Sequence, residues 1–375
     1  MQPWWLRWKS SITQRQFNKL PPRLESLTET FGRIHNNYIY IQNLGYQTEP
    51  LIETFGKIHT SYIYTRSLGM LTETTTFGDL LMEKRENIMQ IGFQNFNGLT
   101  GKADNPVDRS LHDWIMDNSF DVFGIPEVNM YWLKVRKDLQ FKKRINQMWQ
   151  PGQCRSLHAY NCTEKRKKRS IRQYGGTAQL SFGAVLAREF DRGEDFWGLG
   201  RWVCQKYRGK NNHQLPVVTA YQPNMSGGPF TVYLQHRSYY NDIRKSQWEL
   251  QSQMLQDLSN EITKWKQQWE QVILMMDCNE DVRSPMLKKF LLEVGMQEVI
   301  LDWHGTIAPA TYIEGSLPID DIFATAAVNI VQGGYTSFAD DVQGQIWLRG
   351  HDHFGRSPKH PLSSPSLQTE IPGDC

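Results

Sequence analysis

Cysteine is scarce in this chain of 375 residues: Cys154, Cys162, Cys204, Cys278 and Cys375 are odd in number and never fall into a C-x-x-C pair. That excludes a disulfide framework and a structural zinc site, and it fits a reducing, intracellular compartment. Long apolar runs are missing too. The best of them, Val272 to Met276, is far below the roughly 18 residues that a spanning helix needs, so no membrane segment is expected. The N-terminus MQPWWLRWKS has no apolar stretch or small-residue cleavage site behind it, which argues against secretion. Net charge is small, at +3, and its distribution says more than its sum. From Lys134 to Arg172 there are 13 Lys or Arg against two acidic residues, the footprint of a phosphate-facing segment. Within it, Lys165, Arg166, Lys167, Lys168 and Arg169 form a run that reads as a nucleic-acid contact or a nuclear address; a solvated loop is the bland alternative. No protein partner is evident.

Residues 1–82 differ from the rest. Leu27 to Gly45 (LTETFGRIHNNYIYIQNLG) is nearly repeated as Leu51 to Gly69 (LIETFGKIHTSYIYTRSLG), and LTETTTFGDLL follows from Leu71. Two and a half copies are too few to bury a solenoid core, so the region reads as a poorly packed appendage. From about residue 83 to 354 the pattern changes to short strands and helices. Strands are expected over Ile88–Phe93, Phe120–Ile125, Gly175–Leu186, Leu215–Tyr221, Pro229–Leu234, Val272–Met276, Ile319–Ala324 and Val328–Tyr335. Helices are expected over Asp108–Asn118, Ser246–Trp269 and Pro285–Val294. This order gives a layered α/β (α+β) sandwich. Residues 355–375, rich in Ser and Pro, read as a disordered tail.

Polar residues recur directly after the apolar strands, where side chains converge at one sheet edge. Phe93-Gln94-Asn95-Phe96-Asn97-Gly98-Leu99 puts Asn95 and Asn97 on one side of a strand end. Phe-Asp-Val-Phe-Gly-Ile-Pro-Glu over 120–127 ends in a carboxylate, and Asp277-Cys278-Asn279 follows five apolar residues. Asp320 and Asp321 interrupt a strand whose flanks want burial, a costly placement unless a partner is present. His351-Asp352-His353 sets an imidazole beside a carboxylate. Each piece alone has an ordinary explanation as a turn, a cap or a loop.

In this order the pieces resemble the endonuclease/exonuclease/phosphatase superfamily, whose blocks read W-N-x-[ND]-G-L, Q-E, G-D-x-N, D-[YxG]-[FI] and S-D-H. Gly175-Gly176-Thr177-Ala178 resembles its G-G-x-A strand and Ala220-Tyr221-Gln222-Pro223-Asn224 its A-Y-x-P-N strand end. The latter is similar to the apurinic/apyrimidinic endonuclease branch. Asp277-Cys278-Asn279-Glu280-Asp281, Pro309-Ala310-Thr311-Tyr312 and Pro318 to Thr325 look most like endonuclease domains of non-LTR retroelements.

The resemblance implies a four-layer sandwich of two mostly antiparallel sheets flanked by helices. It also implies hydrolysis of DNA phosphodiester bonds with Mg²⁺, for which Mn²⁺ can substitute. By the same resemblance Glu127 is the main metal ligand, with Asn95, Asn97 and Asp352 near the metal. Asp277 prepares the water, Asn279 holds a phosphate oxygen, Tyr221 meets the phosphate or leaving group, and His353, oriented by Asp320, donates to the phosphate. The chain departs from the pattern at Gln94, Asn97 and His351. The final strand should follow His353, yet Phe354 to Leu362 carries Gly355, Pro358 and Pro361, so that strand is expected to be missing. The alternatives are a decayed domain that binds nucleic acid without cleaving it, and a phosphatase of small phosphoesters or lipids, against which Tyr221 and the basic segment speak.

Overall fold

The computed structural model describes residues 77–81, 83–99, 106–162, 172–209, 213–225, 228, 231–268, 270–305, 309–312, 315–336 and 345–351. All lie in the second of two compact units, which begins at Thr76. The repeats, the run 165–169, Asp352, His353 and the tail fall outside the described residues.

Two sheets form the framework. The first contains β1 (Phe77–Gly78), β2 (Ile88–Phe93), β3 (Val122–Pro126), β4 (Cys154–Ala159) and β5 (Thr177–Phe182). The second contains β6 (Glu189–Glu194), β7 (Trp202–Arg208), β8 (Gln214–Tyr221), β9 (Ile273–Asp277), β10 (Met296–Glu298) and β11 (Asp320–Thr325). The chain then returns to the first sheet with β12 (Ile330–Thr336) and β13 (Gln345–His351). Strand order is β1-β12-β13-β2-β3-β5-β4 in one and β10-β11-β9-β8-β7-β6 in the other. Only β2 with β3 and β8 with β9 run parallel. Parallel neighbours need a long crossover, supplied by α1 (Pro106–Asn118) in the first sheet. In the second it is supplied by α3 (Val232–Asp242) and α4 (Leu250–Gln267). Helices α2 (Phe141–Met148), α5 (Pro285–Val294) and α6 (Val299–His304) complete the described set. The expected two-sheet sandwich with flanking helices is the fold observed.

Apolar residues hold the sheets together: Ile91, Phe93 and Val122 pack with Val217, Met275 and Ile322 in one buried cluster. Gly124 marks the point of nearest approach, where an added Cβ would sit 2.8 Å from Thr219 Oγ1 and 2.9 Å from Met275 Cε. The interior also has a polar seam. Thr219 donates to Gln179 Oε1 (2.9 Å) and Ser181 to Gln205 Oε1 (2.9 Å), hydrogen bonds that run from sheet to sheet. They fix the relative position of the two layers, which apolar contacts alone leave free to slide.

Two expectations are corrected. Phe77 and Gly78, assigned to the appendage, pair with Tyr335 and Gly334 as an edge strand, so the folded unit starts before residue 82. Val232 to Leu234 are not strand but the start of α3, because Thr231 caps the helix by accepting from Leu234 N (3.4 Å). A strand ahead of His353 that the sequence pattern does not predict, β13, lies between β12 and β2 with Ile346, Trp347 and Leu348 buried; the segment 354–362, where the closing strand is expected to be missing, lies outside the described residues.

Candidate active site

The C-terminal ends of β2, β3, β8 and β9 and the start of β11 meet at one edge of the sandwich. The chain leaves these ends through sharp turns. Asn97 (φ 49°), Glu127 (φ 52°), Asn129 (φ 55°) and Asn279 (φ 48°) are all left-handed. Asn tolerates this conformation; for Glu127 it costs about 1 kcal/mol or more and must be imposed by its surroundings. Val128 N donates to Gly176 O (3.1 Å), Asn129 N to Gly175 O (2.9 Å) and Leu99 N to Val128 O (3.0 Å), pinning the turn from both sides. Gly176 has no room for a side chain, since a Cβ there would lie 2.9 Å from Ala159 O.

Asn95 joins the two sheets. Its amide nitrogen donates to Glu127 Oε2 (3.0 Å) and to Asp277 Oδ2 (2.8 Å), and its oxygen accepts from Asn97 N (2.7 Å). Asp277 in turn accepts from Asn279 N (3.0 Å), and Asn279 donates to Gln222 O (2.7 Å). Tyr221 stands in register with Asp277, and Asp320 in register with Asp277 on the other side. Thr311 Oγ1 accepts from Ile319 N (3.0 Å) and Asp320 N (3.2 Å), seating that strand end. Three carboxylates therefore crowd a buried corner. Burial, followed by Asp320 and Glu127, pushes Asp277 well above the carboxylate range. Burial, opposed by the Thr311 hydroxyl and reinforced by Glu127, raises Asp320. Tyr221 is pushed above the ordinary phenol by burial and then by Glu127 and Asp277, so it keeps its proton at neutral pH.

Asn95, Glu127, Tyr221, Asp277, Asn279 and Asp320 are thus brought together. Asn97 is exposed and is linked to the corner by its backbone N–H. Of the H-D-H piece only His351 is among the described residues. Strand β13 runs antiparallel to β2, with Ile346 opposite Phe93 and His351 opposite Ile88. His351 therefore lies at the end of β2 remote from Asn95, about 24 Å along the strand at roughly 3.4 Å per residue; Asp352 and His353 lie outside the described residues. No histidine among the described residues hydrogen-bonds Asp320, and its Oδ1 has no partner. Sequence reasoning missed Asn129, whose Oδ1 accepts from Gly175 N (2.7 Å), and the seating role of Thr311. The chain around Lys165–Arg169 starts and ends beside the corner: Asn161 and Gln173 both donate to Gln235 Oε1 on α3 (2.8 and 2.6 Å), and Gln173 N donates to Asn129 O (3.2 Å).

Among the described residues, no group of three or more His, Cys, Asp or Glu forms a ready metal cage. The donor set nonetheless suits a hard cation. Mg²⁺ takes oxygen ligands and keeps several waters, so it needs only one or two carboxylates. Glu127 is half-buried, and the unpartnered Asp320 Oδ1 leaves negative charge uncompensated.

Two sheets sandwiched between helices, with polar strand ends meeting at one edge, define the endonuclease/exonuclease/phosphatase fold. The catalytic domain of Xenopus laevis APE2 has this fold with a TM-score of 0.51 at 13% identity, over 70% of this chain and 92% of that one. Human Nocturnin, solved with bound sulfate, gives 0.48 at 11% identity over 72% and 96% of the two chains. An AP endonuclease from Archaeoglobus fulgidus gives 0.47 at 15% over 70% and 98%. No family model and no curated protein matches the sequence.

Proposed function

We propose that this domain hydrolyses phosphodiester bonds of DNA with Mg²⁺, and that it descends from a retroelement endonuclease. The observation that carries the reading is Asn95, which ties the carboxylates of Glu127 and Asp277 together across the two sheets. Glu127 would hold the cation. Bound there, the cation supplies positive charge against the charge developing on the phosphate. Asp277, raised by its buried surroundings, is a stronger base than an exposed carboxylate and takes a proton from the attacking water. Asn279, fixed by Gln222, directs its amide to a phosphate oxygen. Tyr221 retains its hydroxyl proton and is the donor at hand for the leaving oxygen. The run Lys165 to Arg169, whose flanks are anchored beside this corner, holds the DNA and doubles as a nuclear address. The retroelement descent rests on the A-Y-Q-P-N and D-C-N-E-D pieces.

A plasmid-nicking assay with Mg²⁺ and with EDTA tests the reading. Nicking by the wild type in Mg²⁺ alone, lost in Glu127→Gln and Asp277→Asn, is expected; equal nicking by all three proteins would overturn it. A decayed domain that binds DNA without cutting is the second reading, favoured by the unpartnered Asp320 Oδ1, which no histidine among the described residues meets. It predicts DNA affinity with no nicking in Mg²⁺ or Mn²⁺.

A further inference from the structure

Arg201 is buried, and every nitrogen of its guanidinium is taken. Nε and Nη2 donate to the two oxygens of Asp195 (2.7 and 2.8 Å), Nη2 also to Asp257 Oδ2 (2.7 Å), and Nη1 to the Tyr240 hydroxyl (3.2 Å). Asp195 accepts further from Arg201 N (3.2 Å) and Trp197 N (3.1 Å), and Asp257 from Gln253 Nε2 (2.9 Å). Both acids and the phenol are buried as well. The cluster joins the loop between β6 and β7 to α3 through Tyr240 and to α4 through Asp257. Arg201 stands just ahead of β7, and its carbonyl accepts from Tyr221 N (2.8 Å) at the end of β8. On its other side Tyr221 is held by the register with Asp277. The loop that carries Arg201 has little stiffness of its own, since Gly198 (φ 68°) and Gly200 (φ 69°) are both left-handed.

We propose that Arg201, clamped by Asp195 and Asp257, is a positioning residue that sets Tyr221 for its contact with the scissile phosphate. This rests on the hydrolytic reading given above. A buried ion cluster gains little stability, because desolvation takes back most of what attraction supplies. What a rigid forked cation bound at all three nitrogens does supply is a single geometry. That geometry reaches the chemistry in one step, from the guanidinium through the Arg201 carbonyl to the Tyr221 backbone. Without the fork the carbonyl follows a glycine-containing loop, and the phenol drifts relative to Glu127 and Asp277. A displacement of about 1 Å is enough to cost up to about 10²-fold in rate.

Arg201→Lys keeps the charge and removes the fork, whereas Asp257→Asn keeps the shape and removes one charge. Each is made alone and together with Tyr221→Phe, and kcat and KM are measured for Mg²⁺-dependent cleavage of a labelled oligonucleotide. Each single variant is expected to lower kcat about tenfold, with KM within about twofold of wild type. Added to Tyr221→Phe, either should lower kcat by less than about twofold, because the hydroxyl it positions is already gone. Fluorotyrosine placed at position 221 supplies a signal that does not depend on activity. Its fluorine resonance should shift or broaden in both variants while the far-UV circular dichroism stays unchanged. Should Arg201→Lys fail to fold, Asp257→Asn, which retains the side-chain shape, decides. Losses of equal size with and without the Tyr221 hydroxyl, or an unmoved fluorine resonance, would overturn the assignment. If wild type cleaves nothing, the hydrolytic reading fails while the fluorine resonance still decides whether Arg201 holds Tyr221.

Discussion

Asn95 uses both hydrogens of one amide, one on the carboxylate of each sheet, and no other common side chain fits that position. Aspartate has the shape but offers no donor and adds a fourth carboxyl group to the corner. Asn95→Asp is therefore expected to lower nicking by about 10²-fold or more, since the bases it aligns lose their geometry. A nicking rate within threefold of wild type would show that the bridge is dispensable. The residues of this corner were legible because each polar side chain directly follows an apolar strand, as Asp277 follows Val272 to Met276. Asn129 and Thr311 were not legible. Their work consists of hydrogen bonds to backbone groups such as Gly175 N and Ile319 N, and residue type alone does not predict these.

At the level of elements, β13 shows why pattern reading has limits. Buried on both faces, Ile346, Trp347 and Leu348 make no alternation, and Arg349 among them reads as solvent-facing. Arg349 is in fact 3% exposed and donates to Gln90 Oε1 (2.7 Å) on the adjacent strand. Trp347, fully buried among Phe123, Ile125 and Leu180, is expected to cost about 3–5 kcal/mol when replaced by Ala, read from the urea midpoint. A loss below about 1 kcal/mol would mean that the sheet closes without it. The sequence pattern predicts a helix from Ser246, and the structure gives α4 a later start. It starts at Leu250 because Glu249 caps it, accepting from Gln251 N (3.2 Å) and Ser252 N (2.6 Å). Trp248 thus lies outside the helix and packs on Trp197 and Tyr240. The helix-capping residue set the boundary where the hydrophobic period ran on.

For the whole molecule, a chain starting at Thr76 is expected to keep the unfolding midpoint of the full protein, whereas one starting at Glu83 loses β1 and the Phe77 ring on Tyr335 (5.7 Å) and melts several degrees lower. Equal melting of the two truncations would place the boundary after residue 82. Stability should also depend on pH in a defined way. Burial pushes up Asp277, Asp320 (to about 7), Asp321 and Glu298. The folded state binds their protons more tightly than the unfolded chain. Their stabilising contribution is complete below about pH 4 and is lost as pH rises through the folded values. Burial pushes down His158 to about 4 and His236 to about 3; their contribution is present above about 6.5 and is lost as pH falls. Urea midpoints in EDTA should therefore decline from about pH 6 toward pH 9, and Asp321→Asn should flatten that decline. An unchanged slope in this variant would remove Asp321 from the account.

Strand β13 occupies an interior place in the first sheet, yet the ribosome makes it after the other twelve described strands. Until it emerges, β12 and β2 each present a bare row of backbone donors and acceptors, and the edge bearing Asn95 and Glu127 lacks its lateral support. Bare edges of that kind recruit foreign strands. A message terminated before codon 345 would therefore yield a chain that is inert and prone to aggregate, although it carries all the other described strands.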